Sequence, residues 1–273
     1  MHTYIRNIMR RCTVKSRLYR IAYSDAIDSC RTIPHGLRIA IAADLHSRDG
    51  SAAIAEIAGF SPDLILAPGD IMNGTDKYAV DASFNQNGFT FLKKCRGIAP
   101  VFYSLGNHER GMTEENSSIL SSCGIELLSD RITVYSGIII AGLSSGYKNG
   151  IAKRRVTPEP DLRLIDELRN TSGFRILLSH HPEYYRKYLS SDKGTEKADA
   201  AELVVSGHAH GGQWRLPFGP GIYAPGQGIF PKYTGGVHES KNGGRLVISR
   251  GMANTVIFPR LFNPCEIVFL EIK

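Results

Sequence analysis

Apolar residues along this chain come in short unbroken runs, and each of the first runs stops at a polar exit. Residues 37–43 are nearly all apolar and stop at Asp44-Leu45-His46; 63–67 stop at Pro68-Gly69-Asp70; 101–105 stop at Gly106-Asn107-His108-Glu109. Runs without alternation are how strands covered on both faces read. An alanine- and isoleucine-rich stretch at helical spacing, 52–58, follows the first exit, and a second helix is predicted around 89–95. Further strands are predicted at 137–142, 174–178 and 203–205, with a charged and apolar helix over 161–169, and two more at 245–249 and 266–270. The 174–178 run exits at Ser179-His180-His181-Pro182 and the 203–205 run at Ser206-Gly207-His208-Ala209-His210. Strands alternating with helices, each delivering Asp, Asn or His where it ends, predict a βαβ series with its site along one sheet edge. The Gly- and Pro-dense stretch 216–236 reads as a long ordered loop beside that site.

Composition adds little to the fold and more to the partners. With 273 residues, 42% of them hydrophobic, the chain can bury one large core, expected over 36–273 as a single domain. Residues 1–35 are expected to form a basic N-terminal segment: Arg6, Arg10, Arg11, Lys15, Arg17 and Arg20 all precede the first acidic residue, Asp25. That segment suits peripheral contact with an anionic membrane, and the net charge of +7 favours anionic partners in general. No apolar run approaches the roughly 18 residues that span a bilayer, and no signal-peptide core is present. Five scattered cysteines without a Cys-x-x-Cys pair point to a reducing compartment. The expected location is therefore cytoplasmic, at the inner face of the membrane if the basic segment rests there.

Each exit residue alone reads as a turn former or helix cap. Together, Asp44, His46, Asp70, Asn107, His180, His208 and His210 make a donor set of imidazole, carboxylate and amide without thiolate, which suits Mn, Fe or Zn. The set exceeds the needs of one tetrahedral ion, whereas two ions sharing a carboxylate use all of it. Paired ions roughly 3.5–4 Å apart suit in-line phosphoryl displacement.

In order, Asp44-x-His46, Gly69-Asp70, Gly106-Asn107-His108-Glu109, His180 and Gly207-His208-x-His210 resemble the five blocks of calcineurin-like metallophosphoesterases. The resemblance implies a four-layer αββα sandwich of two mixed sheets flanked by helices. It implies that Asp44, His46 and His210 hold one divalent ion, that Asn107, His180 and His208 hold the other, and that Asp70 bridges them. Manganese is the first expectation for both, with iron or zinc as alternatives. It also makes His108 the catalytic group that faces substrate and assists the leaving group. A narrower resemblance, carried by Gly211-Gly212-Gln213, Arg215-Leu216-Pro217-Phe218-Gly219, Lys232-Tyr233, Ser249-Arg250-Gly251 and Pro264-Cys265-Glu266-Ile267, is to bacterial membrane-associated phosphoesterases that include UDP-diacylglucosamine pyrophosphatases. Where many of these carry an N-terminal membrane anchor this sequence offers a basic segment, and it has Asn73 where they have the Asp that orients the His of the Asn-His pair; Glu109 is the candidate substitute.

The expected activity is hydrolysis of a phosphodiester or pyrophosphate by metal-activated water, on a phosphorylated small molecule or a lipid-linked precursor. Asp70 and His108 carry the chemistry and Asn107, His108 and Arg215 contact substrate. Phosphomonoesters, phosphoproteins and cyclic nucleotides are the alternative substrates, and a non-catalytic scaffold is the alternative role. No specific nucleic-acid binding is expected, and the sequence does not set an oligomeric state.

Overall fold

The computed structural model of the chain describes residues 13–24, 27, 32–74, 83–109, 111–145, 157–191, 198–217, 219–254 and 260–273. The apolar runs become the strands of two six-stranded sheets. The first contains β1 (Val14–Ile21), β2 (Arg38–Ile41), β3 (Leu64–Ala67), β4 (Val101–Tyr103), β5 (Ile125–Leu127) and β14 (Cys265–Ile272), in the order β1-β14-β2-β3-β4-β5. The second contains β6 (Arg131–Tyr135), β7 (Ile138–Leu143), β8 (Arg175–Ser179), β9 (Leu203–Ser206), β12 (Gly236–Glu239) and β13 (Arg245–Ile248), in the order β12-β13-β9-β8-β7-β6. A two-stranded ribbon, β10 (Tyr223–Ala224) with β11 (Gly228–Ile229), interrupts the Gly- and Pro-rich loop. Both large sheets are mixed: β2-β3-β4-β5 and β7-β8-β9-β13 run parallel, while β14 against β2 and both β6 and β12 against their neighbours are antiparallel.

Alternation of side chains along each strand sorts the core into layers. Ile39, Ile41, Leu64 and Leu66 of the first sheet meet Ile138, Ile140, Ile176, Leu178 and Val205 of the second between the sheets. On the outer face of the first sheet, Ala40, Ile65 and Ala67 pack under helices α1 (Ser51–Phe60) and α2 (Gln86–Arg96) through Ala53, Ile57, Phe91 and Leu92. On the outer face of the second, Ile139, Ala141, Leu177 and Val204 pack under α4 (Leu162–Arg169) and the short helical turn Tyr185–Leu189. The four-layer αββα sandwich implied by the resemblance is the observed architecture. Every expected strand and helix is present within a few residues, because a strand covered on both faces has no polar position to blur it.

The elements that the apolar pattern did not announce lie at edges or on the surface. β1 carries Lys15, Arg17 and Arg20 on exposed positions, yet it pairs in parallel with β14 over its whole length, so part of the basic N-terminal stretch is the edge strand of the first sheet. Residues 1–12 of that stretch lie outside the described residues. Helix α3 (Glu114–Ser122) has a weak apolar face but begins on Thr113, whose hydroxyl accepts from Asn116 N, with Glu114 and Glu115 in its first turn. Among the described residues no helix is long and apolar enough to cross a membrane. Cys95 and Cys123 are free, but Cys265 is disulfide-bonded, which corrects the expectation of a chain without disulfides and removes the argument for a reducing compartment.

One buried ion pair ties the second sheet together. Arg175, which opens β8, is 2% exposed, and its Nε and Nη2 donate to the Glu202 carboxylate at 3.0 and 2.6 Å just before β9. Glu202 also accepts the Arg175 backbone N–H at 2.8 Å. Replacing Glu202 by Ala strands a buried guanidinium, so Glu202→Ala is expected to lower unfolding stability by about 3–5 kcal/mol. Urea denaturation checks this, and a loss near zero would show that water reaches the pair.

Candidate metal centre

The strand exits are held in place by backbone bonds that continue the ladders beyond the strands. Asp44 N donates to Gly69 O, His46 N to Asp70 O and Ser47 N to Ile71 O, which locks the first exit to the second. Met252 N and Ala253 N donate to Ala43 O and Asp44 O, so the loop after β13 closes on the first exit, and Gly207 N donates to His180 O, which ties the fifth exit to the fourth. Asp44, His46, Asp70, His208 and His210 all adopt left-handed backbone, with φ between 45° and 67°. A non-glycine residue held there costs on the order of 1–3 kcal/mol. Clustering of that strain on the ligand candidates marks the place where geometry overrides conformational preference.

Asp44 and Asp70 are both essentially out of water. The Asp44 carboxylate accepts the His208 N–H at 3.1 Å, and Asp70 Oδ1 accepts the His108 N–H at 2.8 Å. Asp70 Oδ2 lies 3.2 Å from His180 Nε2 and 3.8 Å from His46 Nε2, while Asp44 Oδ1 lies 3.9 Å from His46 Nε2 and 3.6 Å from His210 Nε2. Asp70 thus faces one histidine of each expected ligand group. Asn107 Oδ1 faces His180 Nε2 at 3.1 Å, and His180 Nδ1 faces Pro68 O at 2.8 Å. The His208 ring lies 5.0 Å from the His180 ring, and the His108 ring meets the His46 ring edge-on at 4.7 Å.

Two observations test whether these residues fit a cation. His46 Nε2 is buried without a hydrogen-bond partner although two carboxylates face it. Its separations from them are too long for hydrogen bonds and suit donors that share an ion at about 2.0–2.2 Å from each. The groups Asp44–His46–His210 and Asp44–Asp70–His180 each bring their ligand atoms within 4.8 Å of one another. The residues fit.

Electrostatics prepare three of the imidazoles for ligation, whereas His180 ligates only after giving up a proton. Burial pushes the imidazoles of His46 and His208 down to about 4 and about 3, and that of His210 well below its usual value, so all three are neutral at pH 7. Burial also pushes the Asp44 carboxyl up to about 7, opposed by His180. Burial acts likewise on Asp70, but His180, His108 and His46 overcome it and hold this carboxyl well below the usual range. His180 goes the other way: burial opposes its charge, and the two carboxylates outweigh it and raise it to about 10.

Several neighbours were not legible as parts of the site. Glu109 is fully buried and accepts the backbone N–H groups of Asp70, Met72 and Gly106, each at 2.8 Å, plus the Tyr103 hydroxyl. It anchors the Asp70 loop and is not the substitute partner of His108. Asn73, which stands where many of the membrane-associated relatives have the Asp that orients His108, is turned instead to His46, with Oδ1 3.0 Å from Nδ1. His181 is buried beside the ligand candidates; its Nε2 meets Ser145 Oγ at 2.7 Å and its ring packs 4.2 Å from His208, with Glu183 3.7 Å from Nδ1. Arg260 Nη2 lies 2.9 Å from His210 Nδ1. A guanidinium only donates, so this contact takes the Nδ1 lone pair and leaves the His210 proton on Nε2; ligation through Nε2 requires Arg260 to withdraw. The Arg215 guanidinium is bonded to Gly211 O, Thr234 Oγ1 and Gly219 O at 2.9–3.0 Å, where it ties the His210 loop to the Gly-rich loop.

Fold and site define the class: an α/β protein whose two mixed sheets converge on a buried cluster of carboxylates and imidazoles built to take cations. The chain belongs to the calcineurin-like phosphoesterase family, whose pattern matches residues 37–212. It is 29% identical over 234 residues to the uncharacterized metallophosphoesterase Cj0846 of Campylobacter jejuni, a match covering 84% of this chain and 56% of that protein. It is 29% identical over 260 residues to the uncharacterized metallophosphoesterase YkuE of Bacillus subtilis, covering 88% and 82%. It is 30% identical over 184 residues to the phosphodiesterase YaeI of Escherichia coli, covering 64% and 58%. Cj0846 and a Caenorhabditis elegans relative are longer, and the match spans 56% and 47% of their lengths. Among solved structures, a dimetal phosphatase from Danio rerio shares the fold, with a TM-score of 0.50 and 13% identity over 82% of this chain and 90% of that one.

Close backbone approach sets the position of Asp70. A Cβ on Gly106 would lie 2.2 Å from Asp70 Oδ1 and 2.7 Å from Asp70 N. Gly106→Ala is expected to displace that carboxylate and weaken divalent-metal binding on the order of tenfold or more, with the circular-dichroism spectrum of a folded protein. Calorimetric titration with manganese checks it; wild-type affinity would mean that Asp70 is not a ligand.

Proposed function

We propose that the chain is a dinuclear metal-dependent phosphohydrolase that cleaves a phosphodiester or pyrophosphate bond. The observation that carries this reading is the buried, partnerless Nε2 of His46 between the carboxylates of Asp44 and Asp70. Asp44, His46 and His210 would hold one ion, Asn107, His180 and His208 the other, and Asp70 both. Two divalent ions bound there supply Lewis acidity to a phosphoryl oxygen and lower the pKa of water.

The chain's own residues do the rest. Asp70, fixed through its Oδ1 by the His108 N–H and through its backbone by Glu109, keeps the two ligand groups in register. His108, packed edge-on against His46, donates a hydrogen bond to the departing oxygen. Asn107, beside His180, contacts a phosphoryl oxygen, and Arg215 acts on substrate through the loop it braces. With Asn73 turned to His46 and Glu109 tied to backbone, His108 has neither expected partner, so esters with good leaving groups suit the site best.

The finer reading is a substrate with an apolar tail, such as a nucleotide-linked lipid, at an anionic membrane. In its favour, Leu216, Tyr223, Ile229, Phe230, Leu261 and Phe262 expose apolar surface, with Ile229 at 73% and Phe262 at 69%. They belong to one hydrogen-bonded group of loops: Arg215 N donates to Leu261 O, Ile222 N to Trp214 O and Phe230 N to Ile222 O. That group adjoins the site through Asn263, whose Nδ2 donates to His210 O at 2.7 Å. The name of the Escherichia coli relative, a phosphodiesterase, favours the diester over the monoester.

Manganese-loaded protein is expected to hydrolyse bis(4-nitrophenyl) phosphate, and Asp70→Ala or His208→Ala to lower kcat/KM by about a thousandfold or more, some 4 kcal/mol of transition-state stabilisation. Tight metal binding without turnover of diesters, pyrophosphates or lipid-linked nucleotides would favour a scaffold instead.

A further inference from the structure

We propose that Asn73 is a positioning residue of the metal centre: its side-chain amide, carried on a backbone that Asn85 holds, fixes His46 in the tautomer that offers Nε2 to a cation. The inference rests on the dinuclear reading and adds how one of its ligands is prepared. Asn73 Nδ2 lies 2.8 Å from the backbone carbonyl of His46, and Asn73 Oδ1 lies 3.0 Å from His46 Nδ1. A carbonyl only accepts, so the arm facing it is the NH2, and the arm facing the ring is the oxygen. A flipped amide would set oxygen against oxygen at the carbonyl. The amide oxygen in turn only accepts, so His46 Nδ1 carries the proton. A neutral imidazole has one N–H, and Nε2 is left with its lone pair directed at the space between Asp44 and Asp70.

The backbone that carries this amide is held in place. Asn73 N donates to Asn85 Oδ1 at 2.7 Å, Asn85 Nδ2 donates back to Asn73 O at 2.8 Å, and Ser47 Oγ donates to the same Asn85 oxygen at 2.5 Å. Asn85 is itself fully buried at the start of α2. His46 and Asn73 therefore form a two-point contact braced from behind, and ring orientation and tautomer are both set before any cation arrives.

An amide at position 73 orients the imidazole without adding charge. A carboxylate there would make a stronger acceptor, raise the basicity of the ligand and place a third anion beside Asp44 and Asp70. Only the amide meets both atoms: Asn73→Asp keeps an acceptor for Nδ1 but sets a carboxylate oxygen against the His46 carbonyl in place of the Nδ2 donor, so it is expected to weaken the positioning of the ring. Asn73→Leu removes the acceptor and releases the tautomer.

Two measurements test this. In metal-free protein with 15N-labelled histidine, the His46 ring resonances are expected to show Nδ1 protonated and Nε2 bare; the opposite tautomer overturns the proposal and needs no variant. In calorimetric titration with manganese, wild-type protein is expected to bind two equivalents, Asn73→Leu to lose about 10–100-fold at one site only, and Asn73→Asp, which loses the donor to the His46 carbonyl, to weaken that same site. Wild-type protein that takes two equivalents while Asn73→Leu binds indistinguishably overturns the positioning role alone. Wild-type protein that takes no metal overturns the dinuclear reading together with it.

Discussion

Two carboxylates, those of Asp44 and Asp70, are held out of water within reach of the same histidine nitrogen. Taking an anion into a low-dielectric interior costs several kcal/mol even after relaxation, unless opposite charge or donors meet it. Part of that cost is offset inside the chain by the N–H groups of His208 and His108 and by the charge on His180. His46 Nε2 offers no such help as a neutral nitrogen, and the three groups facing one another make sense as a cage for positive charge. The rest of the site serves to keep these groups apart and aimed.

Rigidity for that purpose comes from outside the ligand set. Left-handed backbone at five candidate ligand positions stores strain that the local chain would release if it were free. It is retained because the exits are zipped to one another across both sheets, and because Glu109 collects three N–H groups of the Asp70 and Gly106 turns on one buried carboxylate. Asn73 and Asn85 do for the His46 turn what Glu109 does for Asp70. The sandwich beneath supplies the fixed platform, with an apolar layer between the sheets and one under each helical flank.

Much of this was legible in the chain. Apolar runs such as 174–178 and 203–205 read as strands because both faces are covered, and the polar residues ending them read as a site because they recur at exit after exit. Edge strands escaped notice: β1 shows no alternation, with Lys15, Ser16, Arg17, Leu18 and Arg20 all exposed. The partners of the ligands escaped for another reason. Asn73 sits three residues after Asp70, and its spacing fits a contact with His108 as well as one with His46; only the turn geometry decides. Arg260 and Asn263 reach His210 from 50 and more residues away, a relation no local pattern carries. Glu109 was visible as a residue of the third exit but not as an anchor, since adjacent residues at a strand end point apart and the donors it serves are backbone.

The central claim is that the buried carboxylates and imidazoles cage a pair of cations with Asp70 between them. Anomalous diffraction at the manganese edge from crystals grown with manganese reads it directly. Two peaks are expected, one bounded by Asp44, His46 and His210 and one by Asn107, His180 and His208, each in contact with an Asp70 oxygen. A single peak away from Asp70, or none among these side chains at saturating metal, would contradict the claim.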